Sequence, residues 1–321
     1  MNEATEHIQQ VLAQVRREAA KVIIGQGEVI DLALVAIFAG RHALVEGVPG
    51  VAKTLLVRTL AQLLGCPFQR IQFTVDLSPT DIIGTNAFNP STNAFTLLKG
   101  PIFTTFLLAD EINRAPARTQ SALLQAMQER QVTIDRETHV LSPNFVVFAT
   151  QNPIESEGTF TLPESQKDRF LIKISMGYPE EGEELELASR TLTQNAPETL
   201  IDSGTVRPLL TAERLTALRA SLESIVTRPE IVRYATALAR FTRNHSAIRV
   251  GAGPRATQAL LLSSRVHAAL RGRDAVTAED VQRMAPACLE HRLILKQEFV
   301  EKGLTCAEAV KHVLQSVPAP R

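Results

Sequence analysis

The stretch GVPGVAKT at 47–54 constrains the fold of this chain more than any other segment. It follows the apolar run 43–45 and precedes a helical pattern marked by Leu55, Leu56 and Leu60. A strand, a glycine-bearing turn and a helix in that order point backbone N–H groups and the positive end of the helix at one small volume, which favours an anion there. The sequence therefore predicts a phosphate-binding loop in an α/β domain.

The side chains of this loop suggest what it binds. Lys53 is expected to reach the β- and γ-phosphates of a nucleotide, and the Thr54 hydroxyl is expected to hold Mg²⁺. Ala52 stands where the pattern GxxxxGK[ST] has its second glycine, and a positive φ at that position costs an alanine about 1–2 kcal/mol. The predicted cofactors are ATP and Mg²⁺, and the predicted nucleotide contacts of the loop are Gly47, Pro49, Gly50, Val51, Ala52, Lys53 and Thr54.

Two adjacent carboxylates, Asp110 and Glu111, close the apolar run 104–109. Carboxylates at the end of a buried strand cost free energy unless they have a task. At the carboxyl edge of a parallel sheet they face the phosphate loop. We expect Asp110 to act as a metal residue that holds the water shell of Mg²⁺, and Glu111 to orient and deprotonate the attacking water. The alternative is that both merely cap the following helix.

Three further places leave two interpretations open. Asn152 follows the apolar run 145–149, where it either fixes the attacking water or touches the γ-phosphate, or else forms an ordinary turn before proline. Gly25 and Gln26 either line a nucleotide base or make a plain turn between two helices. Arg255 opens a helix, where a cation opposes the helix dipole, so either an anion lies nearby or the residue is a surface arginine.

The composition limits the possible partners. The chain of 321 residues carries 34 basic and 34 acidic side chains, so it lacks the basic excess of proteins that hold nucleic acid non-specifically. Its three cysteines form no C-x-x-C pair, which indicates neither a disulfide framework nor a thiolate metal site. A polar N-terminus and the lack of an apolar run of about 18 residues predict no signal peptide and no membrane segment. A cytoplasmic protein is expected.

The order of apolar runs predicts the domain organisation. Strands alternating with helices favour a doubly wound α/β domain with a parallel sheet, and two polar interruptions, 86–96 and 132–140, are interpreted as β-hairpins. The sequence patterns after the α/β part predict a linker followed by helices. The predicted divisions are 1–194 for the α/β nucleotide-binding domain, 195–208 for the linker and 209–321 for the helical domain. Helix caps are predicted at Thr227, Thr277 and Thr305.

The order and intervals of these motifs resemble those of the MoxR-type AAA+ ATPases. The resemblance covers nearly the whole chain, through the segments IGQ, GVPGVAKT, LLADE, NRAPARTQSALLQAMQE, FATQNPIESEGTFTLPESQKDRF and GAGPRA. It implies an AAA+ P-loop NTPase domain, with a parallel five-stranded sheet flanked by helices, followed by a small all-helical lid domain. It also implies an enzyme that hydrolyses ATP to ADP and phosphate.

The resemblance assigns roles that the residues alone leave open. It makes Asn152 the first sensor of the nucleotide state. It makes Arg169 the arginine finger that reaches the γ-phosphate of a neighbouring subunit. Without the resemblance, Arg169 would be interpreted as a solvated arginine that precedes a strand. It makes Arg255 the second sensor, supplied by the lid to the site of its own chain.

The resemblance also implies partners. It predicts a homo-oligomeric ring, usually a hexamer, that acts as a chaperone-like remodeller to mature protein complexes or insert a metal or cofactor, together with a von Willebrand factor A domain protein and a protein client. One alternative is a nucleic-acid-dependent AAA+ motor, against which the zero net charge counts. Another is a nucleotide-gated scaffold with little hydrolysis, which a phosphate-release assay separates.

Overall fold

The structure is a computed structural model that describes residues 3–91, 93–152, 160–193 and 196–320. Its α/β part contains α1 (Glu3–Ala20), α2 (Gly27–Phe38), β1 (Ala43–Gly47), α3 (Lys53–Leu63), β2 (Phe68–Gln72), α4 (Pro79–Ile83), β3 (Gly84–Asn89), β4 (Ala94–Lys99), β5 (Phe106–Asp110), α5 (Ala117–Glu129), β6 (Gln131–Ile134), β7 (Glu137–Val140), β8 (Val146–Gln151), α6 (Glu164–Lys167), β9 (Ile172–Met176) and α7 (Glu181–Thr191). The chain continues with α8 (Pro197–Asp202), α9 (Ala212–Ser221), α10 (Pro229–Asn244), β10 (Ile248–Val250), α11 (Pro254–Leu270), α12 (Ala278–Leu289), β11 (Ile294–Leu295), α13 (Gln297–Val300) and α14 (Cys306–Ser316).

The central sheet is parallel and, within the described residues, has the strand order β2-β5-β8-β1-β9. The strand that leads into the phosphate loop, β1, therefore lies between β8 and β9. Its last residues pair with the ends of both neighbours, Glu46 opposite Gln151 and Gly47 opposite Met176. The predicted parallel five-stranded sheet with flanking helices is confirmed.

Apolar side chains fix this sheet from both faces. Successive residues of a strand point to opposite faces, and Leu108 and Phe148 accordingly pack in one apolar cluster while Leu107 and Val147 pack in the other. Strands covered on both faces read as continuous apolar runs, which is why β5 and β8 could be recognised from the sequence. The strand ends, and the residues that follow them, are thus held on a rigid support.

Both predicted hairpins are present. Strands β3 and β4 pair antiparallel, as do β6 and β7. The first hairpin exposes two aromatic rings, Phe88 and Phe95, whose centroids lie 5.5 Å apart in an edge-to-face arrangement.

The C-terminal part is helical, and it also contains the short antiparallel pair β10 and β11. The predicted caps at Thr277 and Thr305 are confirmed, since each hydroxyl accepts from the backbone N–H three residues later. The cap predicted at Thr227 is wrong. Pro229 starts α10 with Arg228 as its N-cap residue, and the preceding Val226 is drawn into a bridge with Ala275.

The predicted linker 195–208 contains α8, of which Pro197 and Ile201 are buried, while residues 194 and 195 lie outside the described ranges. Helix α9 packs on the α/β part, where Asn144 donates through Nδ2 to the carbonyl of Ala212 over 2.7 Å. The domain limits at 194, 195, 208 and 209 stay a prediction. Among the described helices, none is long and apolar enough to cross a membrane.

Candidate functional site

The phosphate loop joins β1 to α3 and contains two residues with a left-handed backbone. Gly50 has a φ of 87° and Ala52 a φ of 64°, so the strain expected at Ala52 is present. Gly47 is required for a different reason, because a Cβ atom there would lie 2.7 Å from the carbonyl oxygen of Met176. Helix α3 begins at Lys53, whose Nζ donates to the carbonyl of Gly47 over 2.8 Å. Lys53 is thereby folded against its own loop, and Thr54 follows it in the first turn of α3.

The Asp110 carboxylate ends β5 and is held by two neighbours. Its Oδ1 accepts from the Thr150 hydroxyl over 2.6 Å, and its Oδ2 accepts from Nη2 of Arg70 over 2.6 Å and from Nε over 3.1 Å. Because only 8% of Asp110 is exposed, these charge-assisted bonds fix the direction of the carboxylate.

The next residue, Glu111, has a left-handed backbone with a φ of 56°. Its N–H donates to Oγ1 of Thr150 over 2.8 Å. Its Oε2 accepts from Nε2 of Gln72 over 2.7 Å and lies 3.1 Å from Nε of Arg114. The helical turn that follows receives no side-chain cap from Glu111, so the interpretation of Glu111 as a simple helix cap has no support in the geometry.

Asn152 follows β8 at the same edge of the sheet. Because Gln151 lies opposite Glu46, Asn152 stands level with Gly47 at the start of the phosphate loop, and only 5% of it is exposed. The rest of the predicted stretch around it, residues 153–159, lies outside the described residues.

Gly25 and Gln26 lie on the other side of the loop. Gly25 has a φ of 72°, and Nε2 of Gln26 donates to the carbonyl of Gly177 over 3.3 Å, just beyond β9. A cavity of about 360 Å³ is lined by Gln26, Tyr178 and residues 49–52 of the phosphate loop, with apolar residues from 22–24. Gln26 thus lines a cavity beside the phosphate loop, and the contact of Gly25 and Gln26 with a nucleotide base stays a prediction.

Arg169 and Arg255 lie together at the opposite edge of the sheet. The N–H of Leu171 donates to the carbonyl of His42 over 2.8 Å, so Arg169 precedes the level at which β1 begins. Arg255 lies in the first turn of α11, directly after Pro254, and shares with Arg169 a cavity of about 220 Å³. The phosphate loop begins at Gly47, where β1 ends. Gly47 is five residues beyond His42, a distance of about 17 Å along the strand at about 3.3 Å per residue.

The expectation that the lid presents Arg255 to the phosphate loop of its own chain is therefore corrected. Helix α11 begins beside the loop that precedes β9, where Nη1 of Arg255 lies 3.8 Å from Oδ2 of Asp168. That position is at the amino edge of the sheet, whereas the phosphate loop is at the carboxyl edge.

The amino-edge cavity is strongly basic. It is lined by four arginines and, among the described residues, by one carboxylate: Arg41, Arg169, Arg255, Arg292 and Asp168. Burial, and then the charge of Arg255, lowers the pKa of Arg169. Like charges gathered in this way are stabilised by an incoming anion.

Several polar partners in the carboxyl-edge site were not predicted from the sequence. Arg70 in the middle of β2, Gln72 at its end and Thr150 near the end of β8 meet Asp110 and Glu111 because β2 and β8 flank β5 in register. These contacts depend on which strands are neighbours in the sheet, because residues that end neighbouring parallel strands meet at one edge. No local sequence pattern indicates that arrangement.

Comparison with known proteins places these features in a family. The model of the "ATPase family associated with various cellular activities (AAA)" matches residues 42–172, and that of the AAA lid domain matches residues 240–316, which we refer to as the lid.

Relatives match along the whole chain. It is 41% identical over 305 residues to "Chaperone MoxR1" of Mycobacterium tuberculosis, covering 95% of this chain and 81% of that protein. It is 39% identical over 315 residues to YeaC of Bacillus subtilis, whose function is uncharacterised, covering 98% and 97% of the two chains. The crystal structure of a Cytophaga hutchinsonii protein described as a candidate ATPase superposes with a TM-score of 0.91 at 38% identity, over 99% of this chain and 98% of that one.

Proposed function

The chain belongs to the MoxR family of AAA+ ATPases, and from that membership we propose that it couples ATP hydrolysis in a ring of identical subunits to the remodelling of a protein client. One observation carries the proposal. The carboxyl edge of the sheet gathers a lysine, two carboxylates and an asparagine around one glycine-bearing loop: Lys53, Asp110, Glu111 and Asn152.

Each of these residues has a task in hydrolysis. The loop N–H groups and Lys53 bind the β- and γ-phosphates, which requires the Nζ of Lys53 to exchange the carbonyl of Gly47 for phosphate oxygens. Glu111 takes the proton of the attacking water, for which its carboxylate must release Gln72 or Arg114. Asn152 orients that water from the neighbouring strand end.

The oxygen atoms at this edge fit Mg²⁺. Mg²⁺ binds oxygen ligands through one or two carboxylates and substrate phosphates, and Asp110 and the Thr54 hydroxyl supply such oxygens beside the loop. The carboxylate of Asp110 faces the cation of Arg70, and this pairing with a positive charge supports the proposal. Bound Mg²⁺ supplies charge that offsets the negative phosphate oxygens.

We assign the arginines at the amino edge to the neighbouring subunit. Arg169 and Arg255 share one cavity, so a second subunit whose phosphate loop faces that cavity receives both guanidinium groups. Such an assembly is a homo-oligomeric ring, which we expect to be a hexamer. In the ring, Arg169 acts as the finger and Arg255 as the second sensor of the neighbour's nucleotide.

The remodelling part of the proposal rests on the family and on one surface. A relative is named a chaperone, and the exposed rings of Phe88 and Phe95 on the β3–β4 hairpin offer an apolar contact for a client. We propose that the client is a protein complex to be matured or loaded with a metal or cofactor in the cytoplasm, with a von Willebrand factor A domain protein as the partner.

Substitution of the proposed base tests the mechanism. Glu111→Gln keeps the size and the acceptor for Gln72 but cannot take a proton, so phosphate release should fall about 10²–10⁴-fold while ATP binding persists. Lys53→Ala should lose ATP binding, and Glu198→Gln at an exposed position of α8 is the matched control. Equal turnover by Glu111→Gln and the parent protein would remove Glu111 from the mechanism.

A further inference from the structure

The loop that carries Arg169, residues 168–171, makes most of its hydrogen bonds to the lid through one arginine. Arg292 follows α12, and 3% of its side chain is exposed. All five of its N–H groups have acceptors. Three contacts have ordinary lengths, from Nε to Oδ1 of Asp168 (2.8 Å), from Nη1 to the carbonyl of Leu171 (3.1 Å) and from Nη2 to the carbonyl of Asp168 (3.4 Å). The other two are shorter and reach the carbonyls of Phe170 and Cys288.

The choice of acceptors distinguishes this contact from an ordinary ion pair. A buried guanidinium is costly unless it is paired and hydrogen-bonded, and here three of the five acceptors are backbone carbonyls of the loop itself. Bonds to the backbone fix the path of the loop rather than one side chain. The bond to Cys288 ties the same guanidinium to the last turn of α12, so the loop and the lid are joined at one point.

A second lid residue acts at the same place. Nε2 of His291 lies 3.3 Å from the carbonyl of Phe170, to which the ring N–H donates. Burial, and then the charge of Arg292, lowers the pKa of His291 well below its ordinary value, which keeps the ring neutral. The loop is therefore held by neighbouring lid residues from one direction.

Arg169 itself has little else to place it. Its Nη1 donates to the carbonyl of Leu124 over 3.1 Å, and its Nε has no hydrogen-bond partner among the described residues. Asp168 also links the two arginines of the lid, because its Oδ1 accepts from Arg292 and its Oδ2 lies 3.8 Å from Arg255. The position of the Arg169 guanidinium thus follows from the backbone that Arg292 holds.

We propose that Arg292 is a positioning residue for the arginine finger, so that the lid of each subunit sets the place from which Arg169 contacts the nucleotide of the next subunit. The proposal rests on the proposed function, in which Arg169 acts across the subunit interface. A change in the orientation of one lid is then transmitted to hydrolysis in the neighbour without any contact between that lid and its own nucleotide.

Substitution of Arg292 separates this role from a merely structural one. For Arg292→Gln in the full-length oligomer we expect kcat to fall about 10–100-fold, the loss that a displacement of about 1 Å produces in a catalytic group. ATP binding, KM and oligomer size should match the parent protein. Arg292→Lys keeps the charge without the planar fork and should recover only part of kcat. Arg283→Gln is the matched control, since it breaks another pair between the lid and the α/β part, with Glu28.

Two further measurements identify the finger as the point of action. The double variant Arg169→Ala/Arg292→Gln should turn over no more slowly than Arg169→Ala alone. Assemblies that mix Arg292→Gln with Lys53→Ala subunits should regain hydrolysis, because an intact finger then meets an intact phosphate loop.

Each alternative outcome has a definite meaning. Parental kcat in Arg292→Gln alongside lost turnover in Arg169→Ala overturns the role of Arg292 and leaves the finger standing. Parental turnover in Arg169→Ala overturns the finger, and the role of Arg292 with it. If Arg292→Gln does not assemble, Asp168→Asn keeps the backbone bonds and should show a smaller loss of kcat with unchanged KM; unchanged kcat there overturns the proposal.

Discussion

At the scale of single residues, the carboxyl edge is organised by a threonine that bears no charge. The hydroxyl of Thr150 donates to Asp110 and accepts from the N–H of Glu111, so it fixes the direction of one carboxylate and the backbone turn of the other. Because Thr150 is completely buried, this arrangement does not reorganise with solvent. Asp110 and Glu111 consequently leave the same strand end in different directions, which fits their proposed roles as metal residue and base.

A buried histidine makes the fold sensitive to acid. The N–H of Val147 donates to Nδ1 of His42, and the other ring nitrogen contacts the carbonyl of Met127 over 3.0 Å, so the ring bridges β8 and α5 as the neutral tautomer. Burial lowers the pKa of His42 to about 3. Below the ordinary pKa of 6.5 the unfolded chain binds a proton that the folded chain rejects, and stability is lost as the pH falls through that value.

The lowered pKa of His42 predicts how much the free energy of unfolding changes with pH. Between about pH 7 and about pH 5, His42 alone should lower the free energy of unfolding by about 2 kcal/mol. Chemical denaturation of the parent protein and of His42→Gln at both pH values measures it. The variant should lose about 2 kcal/mol less than the parent, while His291, shifted in the same direction, still contributes in both. Identical losses in the two proteins would contradict the assignment.

At the scale of elements, a lysine on the edge strand β9 connects β1 with the turn that follows lid helix α12. Nζ of Lys173 on β9 lies 3.4 Å from Glu46 on β1 and 3.0 Å from Glu290 after α12. Burial alone would lower the pKa of Lys173, but the two carboxylates outweigh burial and the net shift is upward. Since Glu46 directly precedes the phosphate loop, this cluster connects the loop's strand with the lid.

Removal of the positive charge of Lys173 should destabilise the α/β part and the lid together. Lys173→Met leaves two carboxylates facing each other without a cation, and the free energy of unfolding should fall by somewhat less than the about 3–5 kcal/mol of a completely buried pair. Lys173→Arg should keep most of the stability, and Lys311→Met on an exposed helix face should change it little. Thermal or denaturant unfolding measures the difference, and a Lys173→Met protein as stable as the parent would contradict the prediction.

At the scale of the whole molecule, the two edges of one sheet carry the two groups of residues that the proposed function assigns to one shared site. The phosphate loop and the carboxylates lie at the carboxyl edge, and the arginines lie at the amino edge. Under the proposed function, one chain therefore does not close its own site.

Mixing of defective subunits tests this arrangement. Arg255→Ala subunits have an intact phosphate loop, and Lys53→Ala subunits have intact arginines, so mixed assemblies should hydrolyse ATP although each variant alone does not. Arg169→Ala should behave in the same way, with a loss of about 10³–10⁵-fold when it is alone. Rescue of Arg169→Ala without rescue of Arg255→Ala, in assemblies shown to contain both chains, would return Arg255 to the site of its own chain.

The sequence allowed the motifs to be predicted better than their mutual arrangement. The phosphate loop, the strand that ends in Asp110 and the two hairpins follow from local patterns of apolar and turn residues. The position of Arg255 does not, because it depends on contacts such as Arg292 with Asp168, which are 124 residues apart. A lid can dock on a sheet in several ways, and only tertiary packing selects one of them.

The position of β1, whose two ends lie at opposite edges of the sheet, has a consequence for the symmetry of an assembly of subunits. In the proposed function the phosphate loop lies at one end of β1 and the arginines that act on the neighbour lie at the other end. Subunits that complete each other's sites must then associate head to tail, through a heterologous interface. A two-fold dimer joins like surfaces and completes neither site. In an open row of subunits the terminal site lacks its arginines, and only a closed cycle gives every nucleotide the same surroundings.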